Sequence, residues 1–534
     1  MNHRHKDSWQ ESQKVVISMF KIVGAFFIFV GITILTSGFT RGKNAVGAVI
    51  RNFLCLSCAF LFYWFIGFGF SFSKGNALIG YFDFFSQGTY ASISDLLVSG
   101  ILCGCICAIY ESSMHERCKI APLVIVSCFV GSLVYPIALH WTLHGFLSAL
   151  GCISNQLCVF ALLSGMIALS GTYVISYRKD KYTDDGDVRA IVGENPVFGS
   201  IGGCLIILGV FCLIEDTNIF VSVLLSSLSA VLVCTFLCVM RYHSVDLSLM
   251  INSAIAGSIA SSGVATSYIG LMTGCIAGAV MIPLVEFLER KKKIDDATGM
   301  ISTMLIAGCI GILFSSRSIF AQCAGMISIV VFGGIVSLFL WKEVKRFVGL
   351  RVSEREENEG VDTYARGITH AYLKYMPNVK ENGIGNPEYT RLPDVLPDEN
   401  VTIRPSSATA SHITKVEIIT RRSAFEKLKK ALDAIGVSGM TVSEVMGCGM
   451  QKGAAEYYRG VPMESFLLEK FRIEIVISKV PVDLVVNTAR RALYTGHIGD
   501  GKIFVYDVRD ALKVRTGETG VAALQAVDDI EDVG

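Results

Sequence analysis

Charge is scarce in this sequence. Asp, Glu, Lys and Arg make up only 17% of its 534 residues, apolar residues make up 52%, and the mean hydropathy is +0.53, which excludes a water-soluble chain of this size. The charges that remain sum to +1, so there is no broad field with which to hold nucleic acid or an acidic partner. The 17 cysteines lack the paired spacing of a zinc centre, and many, such as Cys103, Cys105 and Cys107, lie inside apolar runs. They read as small buried hydrophobes rather than a disulfide framework. No kinase, cyclase or other catalytic signature is present, and no enzyme activity is expected.

What the chain does have is a succession of apolar runs. They lie at 15–39, 49–72, 92–110, 120–141, 152–176, 197–214, 219–240, 248–267, 269–288, 300–316 and 322–346. Each approaches the roughly 20 residues a helix needs to cross hydrocarbon, and eleven spans are expected. The first run follows a basic segment but is too long for the core of a signal peptide, so it reads as a span. Basic residues alternate between the intervening loops. One side carries Arg41, Lys43, Arg117, Lys119, Arg178, Lys179, Lys181, Arg189, Arg241, Arg290 to Lys293, Lys342, Lys345 and Arg346, while the other has Lys74 and Arg317. By the positive-inside rule the C-terminus is cytoplasmic and, with an odd number of spans, the N-terminus is outside, although Arg4 and Lys6 run against this. Gly263, Gly270, Gly274 and Gly278 fall at helical spacing, as close helix packing requires.

Short motifs carry a resemblance. Gly38 to Asn44, Tyr63-Trp64 with Gly67-Phe68, His115-Glu116-Arg117, Tyr135 to Ala138, Ser253 to Gly257, Val348 to Val352, Glu359 to Asp362 and Ala371-Tyr372 together resemble the ammonium transporter (Amt/Mep/Rh) family over about residues 15–372. The resemblance implies an all-α bundle of eleven transmembrane helices, with a pore in each protomer of a homotrimer that handles ammonium or ammonia. It also implies a multi-pass protein of a bacterial or archaeal plasma (inner) membrane. Two pore histidines are expected in that family, one on the fifth span and one on the tenth. Here they fall at Ala161 and Met304, and none of the nine histidines lies on either span. The outer-gate phenylalanines fall near Val98 and Leu102, and near the expected aspartate are only Ser154 and Asn155. Neither Ala161 nor Met304 can accept the proton ammonium must shed in a narrow apolar passage. An impaired or non-conducting pore is the expectation. His140 and His144, four apart beside Trp141, read either as an outer ammonium site using cation-π attraction or as an interfacial anchor.

After a membrane domain at 1–372, residues 373–412 gather Pro377, Pro387, Pro393, Pro397 and Pro405 among polar residues and read as a flexible linker. Such a linker has an r.m.s. span of roughly 35 Å. It holds the domain beyond at an effective concentration of roughly millimolar. From 413 to 534 the pattern becomes that of an α/β ferredoxin-like double βαβ domain, with strands at 415–420, 440–445, 471–478 and 503–508 and a second helix at 482–494. Ser423 and Glu426 form a capping box before the first helix.

Gly496 to Lys502 fits a Walker A loop up to its lysine, but Ile503 and a following strand exclude that reading. The segment resembles instead the phosphate loop of PII nitrogen-signalling proteins, as do Tyr494 to Gly496, Arg515 to Glu518 and the Gly453 to Gly460 loop. That resemblance implies ATP or ADP held by Thr441, Gly449, Glu474, Gly499, Asp500, Gly501, Lys502, Lys513 and Arg515, between subunits of a trimer. It implies Mg²⁺ at Gln451, 2-oxoglutarate at Lys470, and Arg459 docking in the pore mouth of the chain's own membrane domain. Met463 stands where many PII proteins have a uridylylated tyrosine. Three roles are compatible with these residues: an ammonium and nitrogen-status sensor with a silent pore, an ammonium channel gated in cis by its PII domain, or a membrane scaffold for PII.

Overall fold

The structure, a computed structural model, describes residues 2–361 and 413–524, except 82–83, 86–91, 153–154, 180, 184–185, 316–317, 422–423, 438, 448–455, 459–460, 464–467, 479 and 495–499. It divides into two units. The linker expected at 373–412 and the cap expected at Ser423 lie outside the described residues.

Apolar sequence in a bilayer must satisfy its own backbone, and helices do so within one segment. In the membrane unit they are α1 (Asn2–Phe39), α2 (Ala45–Phe62), α3 (Phe68–Phe72), α4 (Ile93–Met114), α5 (Ile120–Phe129), α6 (Tyr135–Leu143), α7 (Phe146–Ala149) and α8 (Gln156–Ile175). They continue as α9 (Pro196–Cys212), α10 (Thr217–Tyr242), α11 (Leu247–Ala260), α12 (Ser267–Glu286), α13 (Met300–Phe314), α14 (Ile319–Phe347) and the short α15 (Glu354–Glu359). Outward-facing side chains such as Phe20, Leu232, Phe236, Ile335 and Phe339 are exposed and apolar. This is a multi-pass membrane protein.

Among the described residues, eight helical segments are long and apolar enough to cross a membrane, and α9, α11 and α13 are apolar but shorter. Eleven expected runs therefore meet eight full-length spans. The runs at 197–214 and 300–316 are themselves short, while 248–267 stays apolar past Ala260 but its helix ends where Ser261 caps it. At 14–17 residues these three helices reach only about 21–26 Å. π-helical turns at Tyr63–Gly67 and Val130–Val134 interrupt two of the longer segments, and Gly67 lies against the carbonyl of Gly131 where they meet.

Small residues set the helix spacing. Gly24, Gly31 and Gly38 of α1 face Gly209, Gly202 and Gly199 of α9, and Gly270, Gly274 and Gly278 of α12 face Ser222, Ser226 and Ala230 of α10. Packing accounts for Gly270, Gly274 and Gly278 of the stripe seen in the sequence, whereas Gly263 lies in the turn between α11 and α12, against Ser315 and Asn155. The seam between α8 and α13 is as close: a Cβ at Gly308 would stand 2.5 Å from the backbone nitrogen and Cβ of Leu162, and one at Gly165 would stand 3.0 Å from Leu305.

The second unit has a four-stranded antiparallel sheet, order β2-β5-β1-β6, from β1 (Ile413–Arg421), β2 (Thr441–Gly447), β5 (Leu468–Ile477) and β6 (Lys502–Val508). A small ladder joins β3 (Glu456–Tyr458) to β4 (Val461–Met463). Period-2 alternation places Val416, Ile418, Ile473 and Ile475 on one face, where they pack with Leu428 and Leu432 of α16 (Phe425–Asp433) and Val485 and Ala489 of α17 (Val482–Leu493).

Replacing Gly308 by Leu should force α8 and α13 apart and lower stability by at least about 1–3 kcal/mol. The melting temperature of the purified protein in detergent checks this, with Gly439→Ala, whose Cβ meets nothing within 4 Å and whose φ is not positive, as the uncrowded comparison.

Candidate functional site

Ala161 and Met304 lie on α8 and α13, on the helix faces that carry Cys158, Leu162 and Gly165 on one side and Gly308 and Gly311 on the other. Both are buried, at 0% and 1% exposure. The nearby hydroxyls are used within their own helices, Ser164 donating to the carbonyl of Ala161 and Thr303 to that of Gly299. No side chain at either position can take a proton. Toward the other end of α8, Gln156 donates to Ser99 Oγ (2.7 Å) and Tyr135 OH (2.9 Å). Sequence reasoning misses this polar group, because its members come from three helices.

His140 and His144 do share a helix face, with ring centroids 6.1 Å apart. His140 is buried, and its two ring nitrogens lie 3.1 Å from the carbonyl oxygens of Ser71 and Asn76. Trp141 Nε1 donates to the carbonyl of Leu78 (2.9 Å), and its ring packs on Phe146 and Phe332. These two residues tie the 71–78 segment to α6. His144 is the exposed ring of the three.

The opposite end of the helices holds a lattice of buried charge. Glu116 accepts from the backbone nitrogen and Nε of Arg41 at 2.8 and 2.7 Å, and Arg178 Nη1 lies 3.6 Å away. Arg178 forks onto Asp295, with Nε and Nη2 at 2.8 and 2.9 Å and its backbone nitrogen at 2.9 Å. Arg117 Nη1 is 3.5 Å from the same carboxylate, and its Nη2 and Nε donate to the carbonyls of Asp295 and Ser176. Glu116 and Ser176 both sit at φ +74°, a left-handed conformation rare for such residues, which the lattice holds in place. Burial alone pushes the Glu116 carboxyl up, but Arg41 and Arg178 outweigh it and bring it down to about 2. Asp295 is likewise held well below the usual range, the fields of Arg178 and Arg117 overcoming its burial. Asp296 beside it accepts from the backbone nitrogens of Gly299 and Ile301 and so caps α13.

The segment after α14 closes over this lattice. Leu350 accepts from Lys119 N (2.8 Å) and Val352 N donates to the Arg117 carbonyl (3.0 Å). Glu357 accepts from Lys179 N and from Arg351, and Val361 N donates to Asn44 Oδ1 (2.9 Å). From sequence these basic residues carry only a topological role, and Glu116 and Asp295 serve as register markers. Their pairing spans up to 178 positions of chain, which no local pattern carries.

In the second unit Thr441 pairs with Glu474 across β2 and β5, and Lys470 pairs with Val445 further along the same ladder, its side chain packed over Gly447. Glu474 lies between Lys415 (3.1 Å) and Arg472 (3.4 Å). Asp500 accepts from Arg421 (2.7 Å), and its carbonyl accepts from Thr420. Gly501, at φ +122° against the carbonyl of Ile419, has no room for a Cβ. Lys502 opens β6, and Lys513, 3.5 Å from Glu518, anchors the turn that carries Arg515. Gly449, Gln451, Arg459 and Gly499 lie outside the described residues. Among the described residues no group of three or more His, Cys, Asp or Glu side chains forms a metal centre.

The geometry defines a class: a helical membrane bundle of transporter type joined in one chain to a ferredoxin-like α/β domain. Residues 15–371 match the Ammonium Transporter Family and residues 413–518 match Nitrogen regulatory protein P-II. The chain belongs to the ammonium transporter family and carries a PII domain. Over 110 residues it is 57% identical to a "Nitrogen regulatory PII-like protein" of Bacillus subtilis, a match that spans 21% of this chain and 95% of that protein. Over 109 residues it is 43% identical to Escherichia coli "Nitrogen regulatory protein GlnK", spanning 20% of this chain and 97% of that protein. The bundle is similar in fold to a solved structure titled "Sensor Amt Protein", with TM-score 0.64 and 22% identity, covering 67% of this chain and all of that one. Saccharomyces cerevisiae Mep2 gives TM-score 0.58 and 17% identity over 68% and 92% of the two chains. The two matched families are a transporter family and a regulatory family rather than enzyme families.

Glu116→Gln should remove the counter-charge of partly exposed Arg41 and one of the two carboxylates beside buried Arg178, which keeps Asp295, and destabilise the membrane unit by about 1.5–3 kcal/mol, the loss of charged hydrogen bonds. Because the carboxyl is depressed in the fold, its stabilisation is complete above its ordinary pKa of 4.5 and is lost as pH falls towards about 2. Unfolding midpoints of both proteins across that window should therefore converge at the acid end.

Proposed function

We propose that this protein is a nitrogen-status sensor: its membrane unit binds ammonium without conducting it, and its PII domain binds ATP or ADP and 2-oxoglutarate. The observation that carries the reading is the α8–α13 seam, where Ala161 and Met304 are fully buried and no proton acceptor stands at either position. The eleven-helix count is kept by taking α9, α11 and α13 as short spans beside the eight longer ones. On that count the protein sits in a bacterial or archaeal plasma membrane as a homotrimer, with its N-terminus outside and its PII domain at 413–534 in the cytoplasm. Ammonium binding is assigned to the outer mouth, with His144 as the exposed ring beside Trp141 and His140.

In the PII domain Gly501, packed so closely on the Ile419 carbonyl that no Cβ fits, carries the chain into β6, and Gly501 and Lys502 are assigned to the phosphates. Lys513 and Arg515 are assigned to the phosphates across a subunit boundary, with Gly449, Gly499 and Asp500 completing the loop. Thr441 and Glu474 are assigned to the adenosine, Gln451 to Mg²⁺ and Lys470 to the 2-oxoglutarate carboxylate. Arg459 is assigned to the pore mouth of the same chain. Coupling between ammonium and nucleotide is reciprocal: whatever one does to the other's affinity is returned in equal measure.

Current recordings on supported bilayers, with the linker intact and cut, separate the roles. The expected result is no ammonium-dependent current in either form, with ammonium binding that is lost in His140→Ala or His144→Ala. A current would replace the sensor with a channel gated in cis, and absence of both current and binding would leave a scaffold. In the PII domain, Lys470→Ala should weaken 2-oxoglutarate roughly tenfold to a hundredfold by calorimetry in the presence of Mg²⁺ and ATP, the loss of a charged hydrogen bond.

A further inference from the structure

A second group of buried charge lies beside the lattice and is not absorbed by it. Arg51, in the second turn of α2, and Glu111, one turn before the end of α4, are each 1% exposed. They stand 3.9 Å apart and share no hydrogen bond. Glu111 Oε1 instead lies 2.6 Å from His115 Nδ1, and His115 Nε2 lies 2.9 Å from the carbonyl oxygen of Asn44. Both ring nitrogens therefore face acceptors. A neutral imidazole has one N–H, so with an ionised Glu111 only one of the two contacts is a hydrogen bond. Both become hydrogen bonds when the pair holds one more proton, on the ring or on the carboxyl. Around them Arg51 Nε and Nη1, Asn44 Nδ2, Glu111 Oε2 and Asn52 Oδ1 have no hydrogen-bond partner among the described residues. That mixture of donors and acceptors suits a few buried water molecules, a route for a proton.

We propose that Glu111, His115 and Arg51 form a proton-binding site at one end of the membrane unit, and that its occupancy sets how firmly residues 350–361 are held. Asn44 is the link, since its carbonyl faces the ring while its side chain accepts from Val361 N (2.9 Å). Lys43 beside it donates to the Glu357 carbonyl (3.2 Å), and Gly360, at φ +100°, lies directly on Lys43. Asn52 reaches back to Thr33 of α1, which brings no charge. The other ionisable neighbours are Arg117, the buried thiol of Cys55 on α2, and Cys118, the last in the fields of Arg51, Glu111 and Arg117 and bridged to Arg351. Burial pushes the Cys118 thiol up to about 12, so it stays neutral, and the arginines stay charged. The shared proton of Glu111 and His115 is left as the variable charge.

When that proton leaves to water, the ring keeps its N–H on the carboxylate. Its Nε2 lone pair then faces the Asn44 carbonyl, and the Asn44 segment is pushed from the position that receives Val361. The docked segment thus binds more protons than the undocked one, and docking weakens as pH rises.

Amide hydrogen exchange of the full-length protein in lipid nanodiscs tests this, with rates over residues 350–361 corrected for intrinsic base catalysis between roughly pH 5 and pH 9. Protection should fall about tenfold or more on the alkaline side, the effect of a one-unit linked change in proton affinity. Glu111→Gln, whose amide can donate to Nδ1 while Nε2–H serves Asn44, should hold the acid level of protection at every pH. Val361→Pro, which removes the reporting N–H in a segment outside the bundle, should abolish the step at 350–357 even if the buried variant fails to fold. A flat profile in the wild type, or an undiminished step in either variant, overturns the proposal.

Discussion

The carboxylate of Asp295 is the point on which the charged end of this bundle turns. It sits fully buried between Arg178 and Arg117, and each of those cations also reaches a second acceptor: Glu116 for Arg178, the Ser176 carbonyl for Arg117. Ions so buried are tolerable only as a complete set, because stripping water from each costs several kcal/mol and the return depends on geometry. The set therefore fixes the turns that carry it, including the left-handed backbone at Glu116 and Ser176. It also makes a floor for the segment after α14, since Lys119, Arg117 and Lys179 offer main-chain groups to residues 350–357 only in the positions the lattice dictates.

A bundle braced in this way does not need a polar centre to hold its shape. The α8–α13 seam is closed by glycines against leucine and cysteine, and Ala161 and Met304 are buried on the same two helices. The two ends of the molecule thus differ in kind. Charge is concentrated, paired and buried at one end, whereas the α8–α13 seam is apolar at Ala161 and Met304.

Much of this is legible in the residues. Long apolar runs and period-2 alternation are local, so the spans and the ferredoxin-like strands fall near their observed bounds. The miss at 248–267 has a physical cause, because Gly263, Val264 and Ala265 continue the hydropathy but not the helix once Ser261 ends it. Arg117 and Arg178 read as loop charge, and nothing in their neighbours says that they are buried. Pairing between positions 117 and 295 is a property of the fold. Glu474 shows the same limit in the second unit: its place opposite Thr441 agrees with the strand pattern, but its contacts with Lys415 and Arg472 have no local signal.

Two kinds of buried acid coexist at this end, and the difference between them is instructive. Glu116 and Asp295 each face two guanidinium groups and stay ionised across any physiological pH, so they serve as fixed struts. Glu111 faces one guanidinium at 3.9 Å and one imidazole at 2.6 Å, a partner that can give up its proton. Struts hold the turn in which Asn44, Arg117 and Lys179 meet residues 350–361, while the Glu111–His115 pair adds a contact to that turn that exists in one protonation state only. A rigid frame with a single adjustable contact is what allows a small local change to be felt along a whole segment, because the rest of the turn has no freedom in which to absorb it.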